Sequence, residues 1–184
     1  MATTERKGVM KQPNAVILDR DGVINDNRAI VHVNRPDEFV LFEDVPRAIK
    51  RLNESGMLVF VATNQGGVGL GYMTSEQLSD IHVEMVRQLN EQGARVDAIA
   101  VCTHAPGEGC DCRKPKPGML QTLQSEFGFC FATSFMVGDR ETDVDAGRAV
   151  GMRTVRIGRS KTKADFCTPD LTSAADWIIH AASL

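Results

Sequence analysis

Two aspartates separated by one residue, Asp19 and Asp21, follow a short apolar run at Ala15–Leu18. In an extended chain, residues two apart point the same way, so both carboxylates can face one site. Carboxylates this close repel each other unless a cation or a shared proton neutralises them. Asp139, after a later apolar run, adds a third oxygen donor, and such a set suits Mg²⁺. The alternative is an Asp-rich turn without function, because Asp favours turns.

A second polar stretch, TNQGG at 63–67, also follows an apolar run. Its glycines leave backbone N–H groups open to an anion, and Thr63, Asn64 and Gln65 add polar side chains. Lys114 carries a compact positive charge of the kind that binds phosphate. Alone, this stretch could be a simple turn. Beside a magnesium-type carboxylate cluster, it predicts a phosphate site formed by these four side chains.

Three of the five cysteines lie with a histidine inside eleven residues, at Cys102, His104, Cys110 and Cys112. Structural zinc takes four N or S ligands in a tetrahedron, and three Cys with one His is a standard set. The sequence therefore predicts a Zn²⁺ site that rigidifies this loop and fixes Arg113 and Lys114 beside the phosphate site. The alternative is buried strand cysteines with unrelated loop thiols. Cys130 and Cys167 lack such partners, and we expect buried or half-buried thiols there.

Length and composition are those of an ordinary globular chain, with 184 residues, 42% hydrophobic residues and a net charge of −3. We expect one domain over residues 1–184, with a core at 15–158, a flexible N-terminal segment at 1–13 and a zinc loop at 102–113. No apolar run has the length of a membrane span, and the N-terminus lacks the apolar centre of a secretory signal. A cytoplasmic monomer without a membrane partner is therefore expected.

Short apolar runs alternate with helical patterns along the chain. The runs that predict strands are 15–18, 57–62, 98–101, 135–137 and 154–157, with a possible extra strand at 39–42. Helical spacing lies between them, and Thr74 with Gln77 forms a capping-box pattern. Continuous apolar strands alternating with helices indicate parallel strands buried on both faces. The predicted fold is an α/β Rossmann-like parallel sheet of about five strands flanked by helices, followed by a loose polar segment at 159–171.

Four of these patterns together resemble the motifs of the haloacid dehalogenase superfamily. They are DRDGV at 19–23, TN at 63–64, the later Lys114 and GDRETD at 138–143, and the resemblance covers about residues 15–158. Any one motif alone would be a weak signal, but their combination in this order is specific. The CDCRKP sequence at 110–115 resembles the small zinc-containing group without a cap domain, which includes phosphatases of heptose bisphosphate and of histidinol phosphate.

This resemblance implies a phosphomonoester hydrolase. Asp19 would attack phosphorus and form an aspartyl-phosphate. Asp21 would protonate the leaving oxygen and later take a proton from water. Asp19, the backbone carbonyl of Asp21 and Asp139 would hold Mg²⁺. Thr63 and Lys114 would bind the oxygens of the transferring phosphoryl group.

Other polar residues have open interpretations at this point. Asp143 would orient Lys114 or a metal-bound water, or it is simply a negative charge at a helix N-terminus. His32 lies where the superfamily places a flap over the substrate, and an exposed loop histidine is the alternative. His82 and His180 are expected to have no catalytic role.

The motif spacing leaves no room for a folded cap domain, so we expect an open site bordered by loops 25–33, 66–72 and 103–113. Arg113 and Arg140 supply two guanidiniums, which suit a second anionic group such as the remaining phosphate of a sugar bisphosphate. With the resemblance, these arginines favour D-glycero-D-manno-heptose 1,7-bisphosphate as the expected substrate, cleaved at C7 to heptose 1-phosphate, with histidinol phosphate as the alternative.

Two further functions fit the sequence less well. A nucleic-acid 3′-end phosphatase would need a basic stripe with stacking aromatics, but the chain is acidic and has only ten aromatic residues. A non-enzymatic interaction protein on the same fold would have no reason to keep Asp19, Asp21, Lys114 and Asp139 together.

Overall fold

A single parallel sheet organises the part of the chain that the computed structural model describes, residues 12–30, 32–159 and 161–183. Its six strands are β1 (Ala15–Leu18), β2 (Leu58–Asn64), β3 (Ala98–Cys102), β4 (Phe135–Gly138), β5 (Arg153–Ile157) and β6 (Phe166–Thr168). Their order is β3-β2-β1-β4-β5-β6, and every neighbouring pair is parallel. The predicted Rossmann-like sheet is confirmed. The N-terminal segment expected to be flexible lies outside the described residues up to position 11.

Helices cover both faces of the sheet. They are α1 (Val45–Glu54), α2 (Ser75–Glu91), α3 (Gly118–Phe127), α4 (Glu141–Ala149) and α5 (Leu171–Ala182). In β1, Val16 and Leu18 pack with α1, α2 and α5, whereas Ala15 and Ile17 pack with α3 and α4. All four side chains are fully buried. Burial on both faces explains why the strands are apolar without alternation.

The strand order reverses between β1 and β4, because β2 and β3 extend the sheet on one side of β1 and β4 to β6 extend it on the other. In open α/β sheets, ligands bind outside the carboxyl ends of the strands at such a reversal. Asp19 follows β1 and Asp139 follows β4, so the topology places both at this point. The backbone N–H of Asp19 donates to the carbonyl of Val137 at 2.9 Å, which joins the two strand ends.

The possible extra strand at 39–42 is wrong. A 3₁₀ helix covers Pro36–Glu38, and the next residues pair with the loop that follows β1 instead of the sheet. Leu41 forms an isolated bridge with Asn25, and the N–H of Phe42 donates to the carbonyl of Ile24 at 3.1 Å. The apolar segment 39–42 is therefore held against the loop that follows β1.

The segment at 159–171 is also more ordered than predicted, because β6 lies within it and pairs with β5. A tertiary contact holds β6 in place, because the Phe166 ring stacks on Trp177 of α5 with ring centroids 4.9 Å apart. Asp170 then caps α5 by accepting from the N–H of Ser173 at 2.8 Å. Cys167 in β6 is exposed, against expectation, whereas Cys130 is half-buried as expected.

No helix within the described ranges combines the length and apolarity needed to cross a membrane.

The capping box of α2 gives the first testable prediction. Thr74 Oγ1 accepts from the N–H of Gln77 at 3.2 Å, and Gln77 Oε1 accepts from the N–H of Thr74 at 2.8 Å. Thr74→Ala removes the first acceptor and should lower the free energy of unfolding by about 1 kcal/mol, measured by urea denaturation. Thr74→Ser keeps a hydroxyl and should stay close to wild type. Equal losses in both variants would contradict this assignment.

Candidate active site

The loop after β1 is a tight turn that brings two aspartates to the strand reversal. The carbonyl of Arg20 accepts from the N–H groups of Ile24 at 2.8 Å and Asn25 at 3.1 Å, which closes the turn. Gly22 has a φ of +87°, and a Cβ there would lie 2.5 Å from Oδ2 of Asp139. Glycine is therefore required twice, for the left-handed backbone and for the close approach of a carboxylate from β4.

Lys114 lies at the centre of the site, and only 3% of its surface is exposed. Its Nζ is 2.7 Å from Oδ1 of Asp19, 2.6 Å from Oδ1 of Asp143 and 2.7 Å from the carbonyl of Ala62. Burial lowers the pKa of Lys114, but the two carboxylates outweigh it and raise the pKa above its usual value. The ammonium therefore stays charged and holds the ends of β1 and β2 and the start of α4 together.

Asp143 combines two of the interpretations left open by the sequence. Its Oδ1 contacts Lys114, and its Oδ2 accepts from the backbone N–H of Arg140 at 3.0 Å at the start of α4. A Cβ on Gly138 would lie only 2.1 Å from the Cβ of Asp143, so β4 must end in glycine for Asp143 to reach Lys114. Asp143 thus orients the lysine and stabilises the helix N-terminus at once.

Asp19, Asp139 and Asp143 form a carboxylate cluster, with one oxygen from each within 4.8 Å of the others. Burial raises the pKa of Asp19 to about 7, with Asp143 adding to the rise and Lys114 opposing it. Burial and the charge of Asp143 likewise raise the pKa of Asp139. Oδ1 of Asp139 is buried and finds no hydrogen-bond partner among the described residues. Three carboxylates face one buried ammonium and the exposed guanidinium of Arg140, which lies 3.9 Å from Asp139, so net negative charge remains and the donor set fits a divalent cation.

The carboxylate of Asp21 is not a member of this cluster. Arg20 Nη2 donates to both of its oxygens at 3.0 Å, and Gln65 Nε2 donates to Oδ2 at 2.8 Å. The same Gln65 nitrogen lies 2.8 Å from Oγ1 of Thr63. Because that oxygen accepts from Gln65, the hydroxyl proton of Thr63 is available to a ligand.

Asn64 is engaged differently from the expected phosphate contact. Its Nδ2 donates to the carbonyl of Lys114 at 3.0 Å, and its Oδ1 accepts from the N–H of Lys114 at 3.0 Å. Both ends of the amide are therefore used to fix the lysine backbone across 50 positions of sequence separation. In this arrangement Asn64 orients the backbone of Lys114.

Cys102, His104, Cys110 and Cys112 converge as predicted, with all four ligand atoms within 4.8 Å of one another. The Cys102 sulfur is 3.7 Å from both His104 Nδ1 and the Cys110 sulfur, and His104 Nδ1 is 3.2 Å from the Cys112 sulfur. A tetrahedral zinc site has ligand–ligand edges of about 3.5–3.8 Å. Burial raises the pKa of Cys112 to about 12, reinforced by the neighbouring thiols. A bound cation would offset that penalty, so the cluster fits a metal ion.

A cavity next to Asp19 collects most of the remaining predicted residues. Its lining includes Asp21, Thr63, Asn64, Gln65, Arg113, Lys114 and Arg140. His32, in the segment where the resemblance implies a flap, also lines the cavity, as does Tyr72, and both are exposed. The loops expected to border the site at 25–33, 66–72 and 103–113 all contribute, although Val31 lies outside the described residues. Residues from well-separated parts of the chain therefore share one cleft.

Sequence reasoning missed one partner in this cleft. Arg20 lines the cavity and is 1% exposed, although a charged residue between two aspartates reads as solvent-facing. The signal was its position in the turn after a buried strand, where its neighbours face the site. His82, expected to have no catalytic role, contacts Arg20 with the two nitrogens 3.3 Å apart.

Comparisons with known proteins identify the family of this chain. A family model described as HAD-hydrolase-like matches residues 111–180. The D-glycero-beta-D-manno-heptose-1,7-bisphosphate 7-phosphatase of Pseudomonas aeruginosa is 40% identical over 79% of this chain and 82% of its own. The enzyme of the same name from Escherichia coli K12 is 34% identical over 93% of this chain and 91% of its own.

Solved structures give the same result. A D,D-heptose 1,7-bisphosphate phosphatase from B. bronchiseptica, crystallised with magnesium and phosphate, superposes with a TM-score of 0.83. It is 32% identical and covers 91% of this chain and 98% of its own.

Because the clustered carboxylates repel one another, we predict that removing one of them raises stability and weakens metal binding. Asp139→Asn removes one charge from the cluster, so the metal-free variant should gain about 1–2 kcal/mol in free energy of unfolding at neutral pH. Added Mg²⁺ should raise the melting temperature of the wild type and leave that of the variant almost unchanged.

Asp145→Asn is the matched control, because this carboxylate lies on α4, the helix that follows Asp139, and is 42% exposed, 3.6 Å from Lys163. It should respond to Mg²⁺ like the wild type. A metal-free Asp139→Asn variant that is less stable than wild type, or that responds normally to Mg²⁺, would contradict the cluster as a cation site.

Proposed function

This chain belongs to the HAD-like family of phosphatases, and we propose that it removes the C7 phosphate of D-glycero-D-manno-heptose 1,7-bisphosphate to give heptose 1-phosphate. The observation that carries the proposal is Asp19, held by Lys114 beside Asp21 at the floor of one cleft. Relatives that are 34–40% identical over most of their length bear the name of this activity.

Asp19 is the proposed nucleophile. Lys114 holds its Oδ1 at 2.7 Å, so the orientation of the carboxylate is fixed before substrate arrives. A carboxylate oxygen attacks phosphorus, the bond from phosphorus to the C7 oxygen breaks, and an aspartyl-phosphate forms. The electron pair of the broken bond stays on the C7 oxygen.

Asp21 is the proposed proton donor to that oxygen. It lies in the same turn as Asp19 but outside the carboxylate cluster. After the first step its carboxylate takes a proton from the water that cleaves the aspartyl-phosphate. Arg20 and Gln65 keep it in one place for both steps.

The transferring phosphoryl group needs donors at its oxygens, because charge stabilisation supplies most of the catalysis in such reactions. Thr63 and Lys114 both line the cleft that contains Asp19. Asp19, Asp139 and the backbone carbonyl of Asp21 would hold Mg²⁺, which offsets the repulsion between the phosphate and the attacking carboxylate.

Cys102, His104, Cys110 and Cys112 would hold a structural Zn²⁺. The loop that contains these ligands contacts the loop 66–72 directly, since the N–H of Gly69 donates to the carbonyl of Thr103 at 2.9 Å. Arg113 also donates from Nη1 to the carbonyl of His104 at 3.4 Å. Zinc would thus set the position of Arg113 at the cleft.

The substrate preference rests on the two arginines at the cleft. Arg140 is exposed and Arg113 is half-exposed, and both line the cavity that holds Asp19. Two guanidiniums favour a second phosphate and disfavour the ammonium group of histidinol phosphate.

A single domain, a monomeric state and a cytoplasmic location remain predictions.

The proposed function is tested by phosphate release with Mg²⁺. In a competitive panel of heptose 1,7-bisphosphate, histidinol phosphate and a 3′-phosphorylated oligonucleotide, the first should have the highest kcat/KM. Asp19→Asn should lower kcat by several orders of magnitude, because it replaces the nucleophilic carboxylate with a neutral amide. Its circular dichroism spectrum should match the wild type. Preference for another substrate, or turnover retained in Asp19→Asn, would overturn the corresponding assignment.

The metal loop is tested by zinc content. Purified chain should hold one zinc, and Cys110→Ser should hold well under one and lose most of its activity as Arg113 loses its support. Cys130→Ser is the matched control, because this thiol lies outside the cluster. Full zinc content in Cys110→Ser, or equal zinc loss in both variants, would contradict the ligand assignment.

A further inference from the structure

Arg20 holds the proposed proton donor by one edge of its guanidinium. Its Nη2 is 3.0 Å from both oxygens of Asp21, and its Nε is 3.3 Å from Oδ1. A planar guanidinium that contacts a carboxylate at two points fixes both the distance and the rotation of that carboxylate. The orientation of Asp21 therefore depends on what fixes Arg20.

His82 of α2 contacts the other side of the same guanidinium. Nη1 of Arg20 lies 3.3 Å from Nε2 of His82. Because arginine has no acceptor, Nε2 must accept, and the ring proton must then be on Nδ1. Burial, reinforced by the charge of Arg20, lowers the pKa of His82 to about 4. The imidazole is therefore neutral at physiological pH and can accept this hydrogen bond.

The position of His82 is set by the protein core. Its neighbours on α2, Ile81 and Met85, are fully buried, and Leu78 is 4% exposed. The helix has 17 residues and begins at the capping box of Thr74. His82 is thus held by a rigid helix that packs against the sheet, whereas Arg20 and Asp21 lie in a turn.

We propose that His82 is a positioning residue, which fixes Arg20 and through it the carboxyl group of Asp21 at the leaving oxygen. Gln65 also donates to Oδ2 of Asp21, so two residues, Arg20 and Gln65, hold this carboxyl group. Without His82, Nη1 loses its acceptor inside a buried site, and the guanidinium is drawn toward other acceptors. Small displacements of a catalytic group are costly, because proton transfer requires close alignment.

This role rests on the proposed function, and it makes a prediction that depends on the leaving group. Alkoxide departure from a sugar requires protonation, whereas p-nitrophenolate departs as a stable anion. His82→Ala should lower kcat/KM for the heptose bisphosphate by roughly tenfold or more, a part of the 10²–10⁴-fold that general acid–base catalysis supplies. The loss with p-nitrophenyl phosphate should stay below about threefold, since its first step needs little acid.

His82→Gln provides the rescue, because its amide oxygen can replace Nε2 as the acceptor. It should recover most of the activity with the sugar substrate. Val83→Ala is the matched control, since this neighbour on α2 is 64% exposed and should behave as wild type. A double-mutant cycle adds a direct test of the path, because His82→Ala should add little further loss in an Arg20→Lys background.

The outcomes separate this inference from the proposed function. If the wild type is active and His82→Ala lowers kcat/KM equally for both substrates, the positioning role is overturned and the proposed function stands. Additive losses of Arg20→Lys and His82→Ala would show that His82 does not act through Arg20. A wild type without Mg²⁺-dependent phosphatase activity would overturn the proposed function, and this inference with it.

Discussion

The buried ion pairs of Lys114 are the interaction on which the site depends. A charge with so little exposure is tolerated only when it is paired and hydrogen-bonded, and Lys114 contacts two carboxylates and a backbone carbonyl. These contacts dictate their surroundings. Gly138 leaves space for Asp143, and the amide of Asn64 fixes the lysine backbone. One ammonium thereby ties together strand ends that are distant in sequence.

The same pairs leave negative charge uncompensated, because Lys114 pairs with two of the three clustered carboxylates, whereas Asp139 lies 3.9 Å from the exposed Arg140. That excess fits a divalent cation and makes the metal-free cluster costly in free energy. A second candidate metal site, the cluster of three cysteines and His104, ends at Cys112, two positions before Lys114 in the sequence. A metal bound there would fix a loop that is too short for its own core, at the point from which Arg113 and Lys114 reach the cleft.

The predictable features are those set by local pattern and topology. Buried parallel strands are continuously apolar, so their carboxyl ends, and with them Asp19 and Asp139, could be located from sequence. The strand β6 has only three residues and depends on stacking of Phe166 against Trp177, which leaves no local pattern. Arg20 and His82 were likewise missed as partners, because their contact joins a turn and a helix 62 positions apart.

The central claim is that Asp19 carries the phosphoryl group during turnover, and chemical trapping tests it most directly. Enzyme turning over heptose 1,7-bisphosphate with Mg²⁺ would be quenched in acid and reduced with borohydride, which converts a phosphorylated aspartate to homoserine. Peptide mass spectrometry should then find homoserine at position 19 and an unmodified aspartate at position 21. Rapid turnover with no modification at position 19, or with modification at another carboxylate, would contradict the account.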